Sequence, residues 1–194
     1  MKHMLNELSR PVAITAILLL FLGGAYPLIT WGLAQVFFKE KADGSLLRSA
    51  DGAVVGSSLL AQRFQEQKYF HSRPSAAGTG YDASASGGSN FGPTSAKLRD
   101  SIKVRVDAYR KENGLPDSMK VPADAVMASG SGLDPEISVA NAEFQSVRVA
   151  KARNIGPDRV KALISSHTRK RGLGVLGEPG VNVLTLNLAL KGLE

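Results

Sequence analysis

From Pro11 to Phe38 the chain runs for 28 residues without a charged side chain, and Leu, Ile, Val or Phe fill fourteen of those positions. At about −0.3 to −0.6 kcal/mol for each, bilayer insertion is favoured by about 4 to 8 kcal/mol. A helix crosses the hydrocarbon with about 20 residues, so a longer one tilts, kinks or protrudes. The run also exceeds the apolar core of a cleaved signal peptide, about 7–15 residues, and it continues from Trp31 to Phe38 with no small-x-small cleavage site. The expectation is an uncleaved single-pass anchor over 11–38, a tail over 1–10 and a soluble domain over 39–194.

Within the anchor, Gly23 and Gly24 are followed by Pro27. Small residues admit a neighbouring helix, and proline frees a carbonyl that needs a partner. Packing against other membrane helices is one reading. The ordinary abundance of Gly and Pro in membrane helices is the other. Lys2 and Arg10 precede the segment and Lys39, Lys41 and Arg48 follow it, so the positive-inside rule is balanced. A short tail is left in the cytoplasm more easily than a long domain, which favours an extracytoplasmic C-terminal domain.

Composition bounds the rest. Hydrophobic residues make up 43 % and charged residues 21 %, enough to bury a core. The absence of cysteine excludes disulfides, thiolate metal sites and a cysteine nucleophile. The net charge is +7, but its one dense cluster, Arg169-Lys170-Arg171, falls where a helix is expected to end and complements its dipole. With no zinc-finger spacing and no aromatic-glycine motif, nucleic acid is not an expected partner.

The soluble part reads as an α+β domain of underived topology. Ala50-Asp51-Gly52 between two apolar runs signals a hairpin within 46–60. Residues 73–95 form a loop in which 16 of 23 positions are Gly, Ser, Ala or Pro. A loop that long is functional or mobile. A helix starting at Pro93-Thr94 places Leu98, Ile102, Val106 and Tyr109 on one face and stops at Gly114. A second is expected to start at Asp134-Pro135 and bury Ile137, Ala140, Phe144 and Val147. A third starts near Gly156-Pro157 and buries Val160, Leu163, Ile164 and His167. Alternation from Val181 to Leu190 predicts a strand.

Two small-residue segments are candidate sites. Gly87 to Thr94 has the spacing of a phosphate loop, but Pro93 stands in place of the lysine and removes an N–H from any cradle. Gly87, Gly88 and Ser89 are therefore weak nucleotide candidates. Ser86-Gly87-Gly88-Ser89 is faintly similar to the core of the ABC-transporter signature. The second segment, Ala128 to Gly132, leads to Asp134, where either an anion or the Asp134 side chain meets the N–H groups of a helix start. There is no G-x-S-x-G elbow and no S-x-x-K pair, and His3, His71 and His167 show no ligand spacing. No catalytic or metal-binding residue is assigned, and no cofactor.

A series of short stretches, in order, resembles one known family. They are Gly56-Ser57 through Gln62 and Phe64, Tyr69-Phe70 with Arg73-Pro74-Ser75-Ala76, Tyr81-Asp82, and Ala85 to Asn90 with Gly92-Pro93-Thr94. They continue as Ser129 to Pro135 with Ile137-Ser138, Gln145 with Arg148-Val149-Ala150, Leu176 to Pro179, Val181 to Leu184, and Leu186 to Leu190. The family is the C subunit of the bacterial Kdp potassium-transporting ATPase. Departures are Met127 for a common threonine, Glu136 for histidine, Ser95 for asparagine and Gly180 for arginine.

The resemblance implies an accessory, non-catalytic subunit of the bacterial inner membrane. The partners it implies are the other members of the Kdp complex, besides membrane lipid. These are a channel-like protein that binds potassium, a P-type ATPase that hydrolyses ATP, and a further small protein. It also implies help in assembly and a catalytic-chaperone role that promotes ATP binding by the P-type ATPase, so that ATP enters indirectly. Arg73, Asp82, Asn90, Ser129, Ser131 and Asp134, in or beside the two glycine-rich segments, are the expected subunit contacts. The alternative is a membrane-anchored extracytoplasmic sensor or enzyme.

Overall fold

A computed structural model describes the backbone of residues 2–49 and 51–193 and the side chains of residues 7–49 and 51–192. Ala50 of the expected turn and the side chains of Lys2 and His3 lie outside the described residues. The chain divides into two compact units, Met1–Ser57 and Ser58–Glu194.

The first unit is helical from α1 (Lys2–Leu20) through a π-helical turn (Phe21–Ala25) into α2 (Tyr26–Phe37). Its apolar part, Glu7–Phe37, has 31 residues, which at ~1.5 Å each span about 46 Å against ~30 Å of hydrocarbon. The π turn accounts for the Gly-Gly-Pro pattern. Pro27 has no N–H to give, and the backbone N–H of Tyr26 reaches back to Phe21 O across a widened turn that contains Gly23 and Gly24. Thr30 Oγ1 then donates to Tyr26 O and Pro27 O, both at 3.0 Å. A short helix, α3 (Lys39–Ala42), leads into the expected hairpin, β1 (Leu46–Arg48) against β2 (Val54–Ser57), with a bulge between Leu47 and Arg48.

The second unit begins without a helix or strand until α4 (Ala96–Asn113). Ser95 caps α4 by accepting from Leu98 N, and Gly114 closes it in the left-handed conformation. Leu98, Ile102 and Val106 are half-buried and Tyr109 is buried, as the spacing predicts. A short α5 (Ala123–Val126) precedes the first departure from expectation. Asp134-Pro135 does not start a helix. Glu136–Ser138 is strand β3, and α6 (Val139–Arg153) starts one residue later with Ser138 as its cap. The phase shifts accordingly. Ala140 and Val147 are exposed and Phe144 is half-buried, while Asn141, Ala142, Gln145, Ser146, Arg148, Val149 and Ala150 face inward. Asp124 fixes the junction by accepting from Ser138 N, Ser138 Oγ and Asn141 Nδ2 at 2.8–3.0 Å.

Helix α7 (Pro157–Ser166) buries Val160 and Ile164 as expected, but His167 is its half-buried C-cap and not part of that face. The basic cluster lies beyond the helix end. Arg169 belongs to strand β4 (Thr168–Arg169) and pairs with Glu136 at 2.6 Å, while Arg171 pairs with Glu178 at 2.8 Å. Ion pairing and not a helix dipole is thus the role of these two arginines. The second departure is at the C-terminus, where only β5 (Gly180–Asn182) is strand and Val183–Leu190 is helix α8. Asn182 caps α8 through Thr185 N. The three strands form an antiparallel sheet in the order β3-β5-β4. The core gathers Phe70, Ile137, Val149, Val160, Ile164, Val181, Leu186 and Leu190 between this sheet and helices α6, α7 and α8. The fold is α+β with one long apolar N-terminal helix.

Two of the departures noted in the sequence meet on the sheet. A Cβ at Gly180 would sit 2.7 Å from Glu136 Oε2. The bare glycine leaves room for Glu136 to take Arg169.

Candidate functional site

The two glycine-rich segments lie against each other. Gly87 N donates to Ser131 O at 2.9 Å, Ser86 Oγ donates to the same oxygen at 3.0 Å, and Ser129 N donates to Pro74 O at 3.2 Å. Only glycine fits at the closest points. A Cβ on Gly88 would stand 2.9 Å from Gly130 O, and one on Gly132, at φ +70°, would stand 2.6 Å from Ala77 N and 2.7 Å from Gly87 O. The small residues thus let two backbones approach.

An ion pair spans the seam. Arg73 Nη1 lies 2.8 Å from Asp134 Oδ2, and Asp134 Oδ1 accepts from Glu136 N at 3.0 Å. Asp134 therefore closes an Asx turn into β3 and caps no helix, so the helix start that would have offered N–H groups to an anion is absent here. Arg73 Nε is buried with no hydrogen-bond partner among the described residues. Below it, Tyr81 donates its hydroxyl to Arg73 O at 2.8 Å, and Ser75 Oγ accepts from Tyr81 N at 2.8 Å.

The other expected contact residues are placed as follows. Asp82 accepts from Ser84 N at 2.9 Å and Ser84 Oγ at 2.6 Å, bonds that hold its carboxyl below the usual range. Asn90 is exposed at φ +51°. Ser129 is buried in the seam, and Ser131 is exposed with its Oγ accepting from Leu133 N. Gly87, Gly88 and Ser89 are half-buried, and no helix follows them until Ala96. Arg73, Ser129, Ser131, Asp134 and the Gly87–Gly88 pair are brought together. Gly23, Gly24 and Pro27 belong to the first unit.

Sequence reasoning misses the buried polar group that holds the lead-in to the loop. Arg148 Nη1 donates to Gln67 O at 2.6 Å and Tyr69 O at 2.9 Å, its Nε donates to Asn113 Oδ1, and its Nη2 donates to Gln145 Oε1. Gln145 exchanges hydrogen bonds with the backbone of His71. Asn187 does the same with Phe70. With Arg153 Nε donating to Lys68 O at 2.7 Å, two side-chain amides and two guanidiniums satisfy residues 67–71 as a neighbouring strand would. The legible signal is two-fold. Gln145, Arg148 and Asn187 fall in phase with buried apolar neighbours on α6 and α8, and each is rich in donors.

Two carboxylates are held by basic partners. Glu112 is held below its usual range by its bond to His71, 3.0 Å away, and Glu136 by its bond to Arg169. A depressed carboxylate pKa stabilises the fold fully above the unfolded value of 4.5, and that contribution is lost as pH falls through the lower folded value. The melting temperature should therefore drop on acidification below about pH 4.5. Glu112→Gln with Glu136→Gln should flatten that drop, as read by melts from pH 7 to pH 3. An unchanged slope in the double variant refutes the assignment.

Comparison with known proteins supplies a context. The family profile described as "K+-transporting ATPase, c chain" (KdpC) matches residues 8–192. A Mycobacterium tuberculosis protein is 58 % identical over 168 residues, covering 87 % of this chain and 88 % of its own. A Koribacter versatilis protein is 50 % identical over 192 residues, covering 98 % and 97 %, and a Rhodospirillum rubrum protein is 52 % identical over 188 residues, covering 96 % of each. All three are described as the KdpC subunit of a potassium-transporting ATPase.

Proposed function

The chain belongs to the KdpC family, the c chains of K+-transporting ATPases, and from this we propose that its seam of glycine-rich segments is where the other subunits dock. The chain is an accessory subunit of the Kdp complex, and hydrolysis resides in a different subunit. That places an independent enzyme or sensor outside the reading. The complex is membrane-bound, and the helix over Glu7–Phe37 is the candidate span.

The observation that carries the docking surface is the seam itself. It is low in charge apart from one ion pair, it is held by backbone hydrogen bonds, and its two faces are fixed before any partner arrives. A preformed surface loses little conformational entropy on binding. In this reading the domain is extracytoplasmic. It stabilises the assembly of a channel-like potassium-binding protein, a P-type ATPase and a further small protein, and it caps the outer mouth of the channel-like partner. Promotion of ATP binding by the P-type ATPase then acts through the assembled complex and needs no nucleotide on this chain.

The test is co-purification. Arg73→Ala removes the ion pair across the seam, and Asp82→Ala removes the cap of the turn at 82–85. Each should reduce recovery of the other subunits in detergent several-fold and slow growth at limiting potassium. Assembly and growth at wild-type levels in both variants would reject the seam as the docking surface.

A further inference from the structure

A cleft of about 320 Å³ opens beside α4, lined by Arg63, His71, Tyr81, Arg105, Tyr109 and Glu112 among others. Neither of its two arginines is neutralised by a carboxylate. Among the described residues neither Arg63 nor Arg105 makes an ion pair. The acid in the cleft, Glu112, is taken by His71.

Both guanidiniums are nevertheless held in place. Arg63 Nη2 donates to Thr79 O at 2.5 Å and to Gly80 O at 3.1 Å. Its guanidinium carbon lies 5.9 Å from the centroid of the Tyr81 ring. Gly80 makes this approach possible, because a Cβ there, at φ +99°, would meet Arg63 Nη2 at 2.5 Å. Arg105 Nη1 donates to Val126 O at 3.1 Å. The remaining nitrogens, Nε and Nη1 of Arg63 and Nε and Nη2 of Arg105, have no acceptor among the described residues. Both line the same cleft as Tyr81, and each charge opposes the upward push that burial gives the Tyr81 hydroxyl.

Backbone carbonyls orient a guanidinium without neutralising it. The free edge keeps its planar fork of donors, which matches the two oxygens of a carboxylate or phosphate group. We propose that this cleft is an oxyanion site, in which Arg63 and Arg105 bind a carboxylate or phosphate group beside the Tyr81 ring. The site adjoins the seam through Pro74 and Tyr81, but the proposal does not depend on the docking reading.

The full chain in detergent is titrated with glutarate and with inorganic phosphate, at constant ionic strength set by chloride. Isothermal calorimetry and thermal melts provide the readouts. At least one probe should bind saturably and raise the melting temperature. The R63Q/R105Q variant should bind it about tenfold or more weakly, and R63K/R105K, which keeps the charge without the fork, should fall between. Binding of neither probe to the wild-type chain overturns the site whether or not the variants fold. Equal binding by a folded R63Q/R105Q variant also overturns it.

The source of the anion is read in the assembled complex, an arm that rests on the family assignment. Loss of the response there, with retention in the isolated chain, assigns the site to an acidic side chain of a neighbouring subunit. Retention in both assigns it to a free anion.

Discussion

Arg148→Met should destabilise the second unit by about 3–5 kcal/mol, because several buried acceptors lose their donor at once. Arg148 is 7 % exposed and donates to the carbonyls of Gln67 and Tyr69 and to the side chains of Asn113 and Gln145. Methionine fills most of the stem's volume but leaves these acceptors without their donor, at about 1–3 kcal/mol for each that water does not reach. Burial already opposes the arginine's charge and lowers its pKa, so a new hydrophobic contact recovers part of the loss. The net effect should lower the melting temperature by about 10–15 °C, with faster amide exchange at residues 67–71 before the helices open. A loss below about 1 kcal/mol, inside the range of an ordinary surface change, would mean that the lead-in to the loop is held by something other than this group.

The second large effect is at Gly132. Alanine there meets a left-handed backbone, which disfavours a Cβ by about 1–2 kcal/mol. It also meets backbone atoms at 2.6 and 2.7 Å that cannot swing away as side chains do. Overpacking adds about 1–3 kcal/mol, so Gly132→Ala should cost about 2–5 kcal/mol in all. The neighbouring Gly130 has no atom within 4 Å of its own Cβ position, and Gly130→Ala is the internal control, expected to stay within about 0.5 kcal/mol of wild type. Melts of the two variants measure the local effect, and recovery of the other subunits measures its consequence. Equal melts for the two would show that the segments do not rely on close contact. A displaced seam that still recovers every subunit would separate packing from docking.

Much of this architecture is readable from residue order, and the exceptions have physical causes. The uncharged run over 11–38, the hairpin at Asp51-Gly52 and the helices α4 and α7 announce themselves through period, glycine and proline. Helix α8 does not. Leu184, Leu186, Leu188 and Leu190 alternate as a strand would, and a helix buried on most sides erases its own 3.6-residue period. The decisive signal is a single residue, Asn182, whose side chain takes the Thr185 N–H and starts the helix. The start of α6 misleads for a similar reason. Asp134-Pro135 has the chemistry of a helix start, but Arg73, 61 positions earlier, claims the carboxylate, and Ser138 caps in its place.

The candidate site is legible as composition and not as geometry. The glycine runs at 87–88 and 130–132 mark two places of close approach, yet nothing in their spacing says that they approach each other. Arg63 and Arg105 give no signal because an arginine on a helix or loop is usually solvated. What singles them out is that the fold brings both to one cleft, each oriented by backbone carbonyls.

Asn187 exchanges both of its amide hydrogen bonds with Phe70, a partner 117 positions earlier. That pairing can form only once Asn187 has been synthesised. The apolar helix over Glu7–Phe37, the candidate span, is synthesised well before the residues that close the domain. The second unit can then mature only after Asn187 has left the ribosome. A message cut before the Asn187 codon would leave a second unit without this pairing, a ready substrate for quality-control proteolysis.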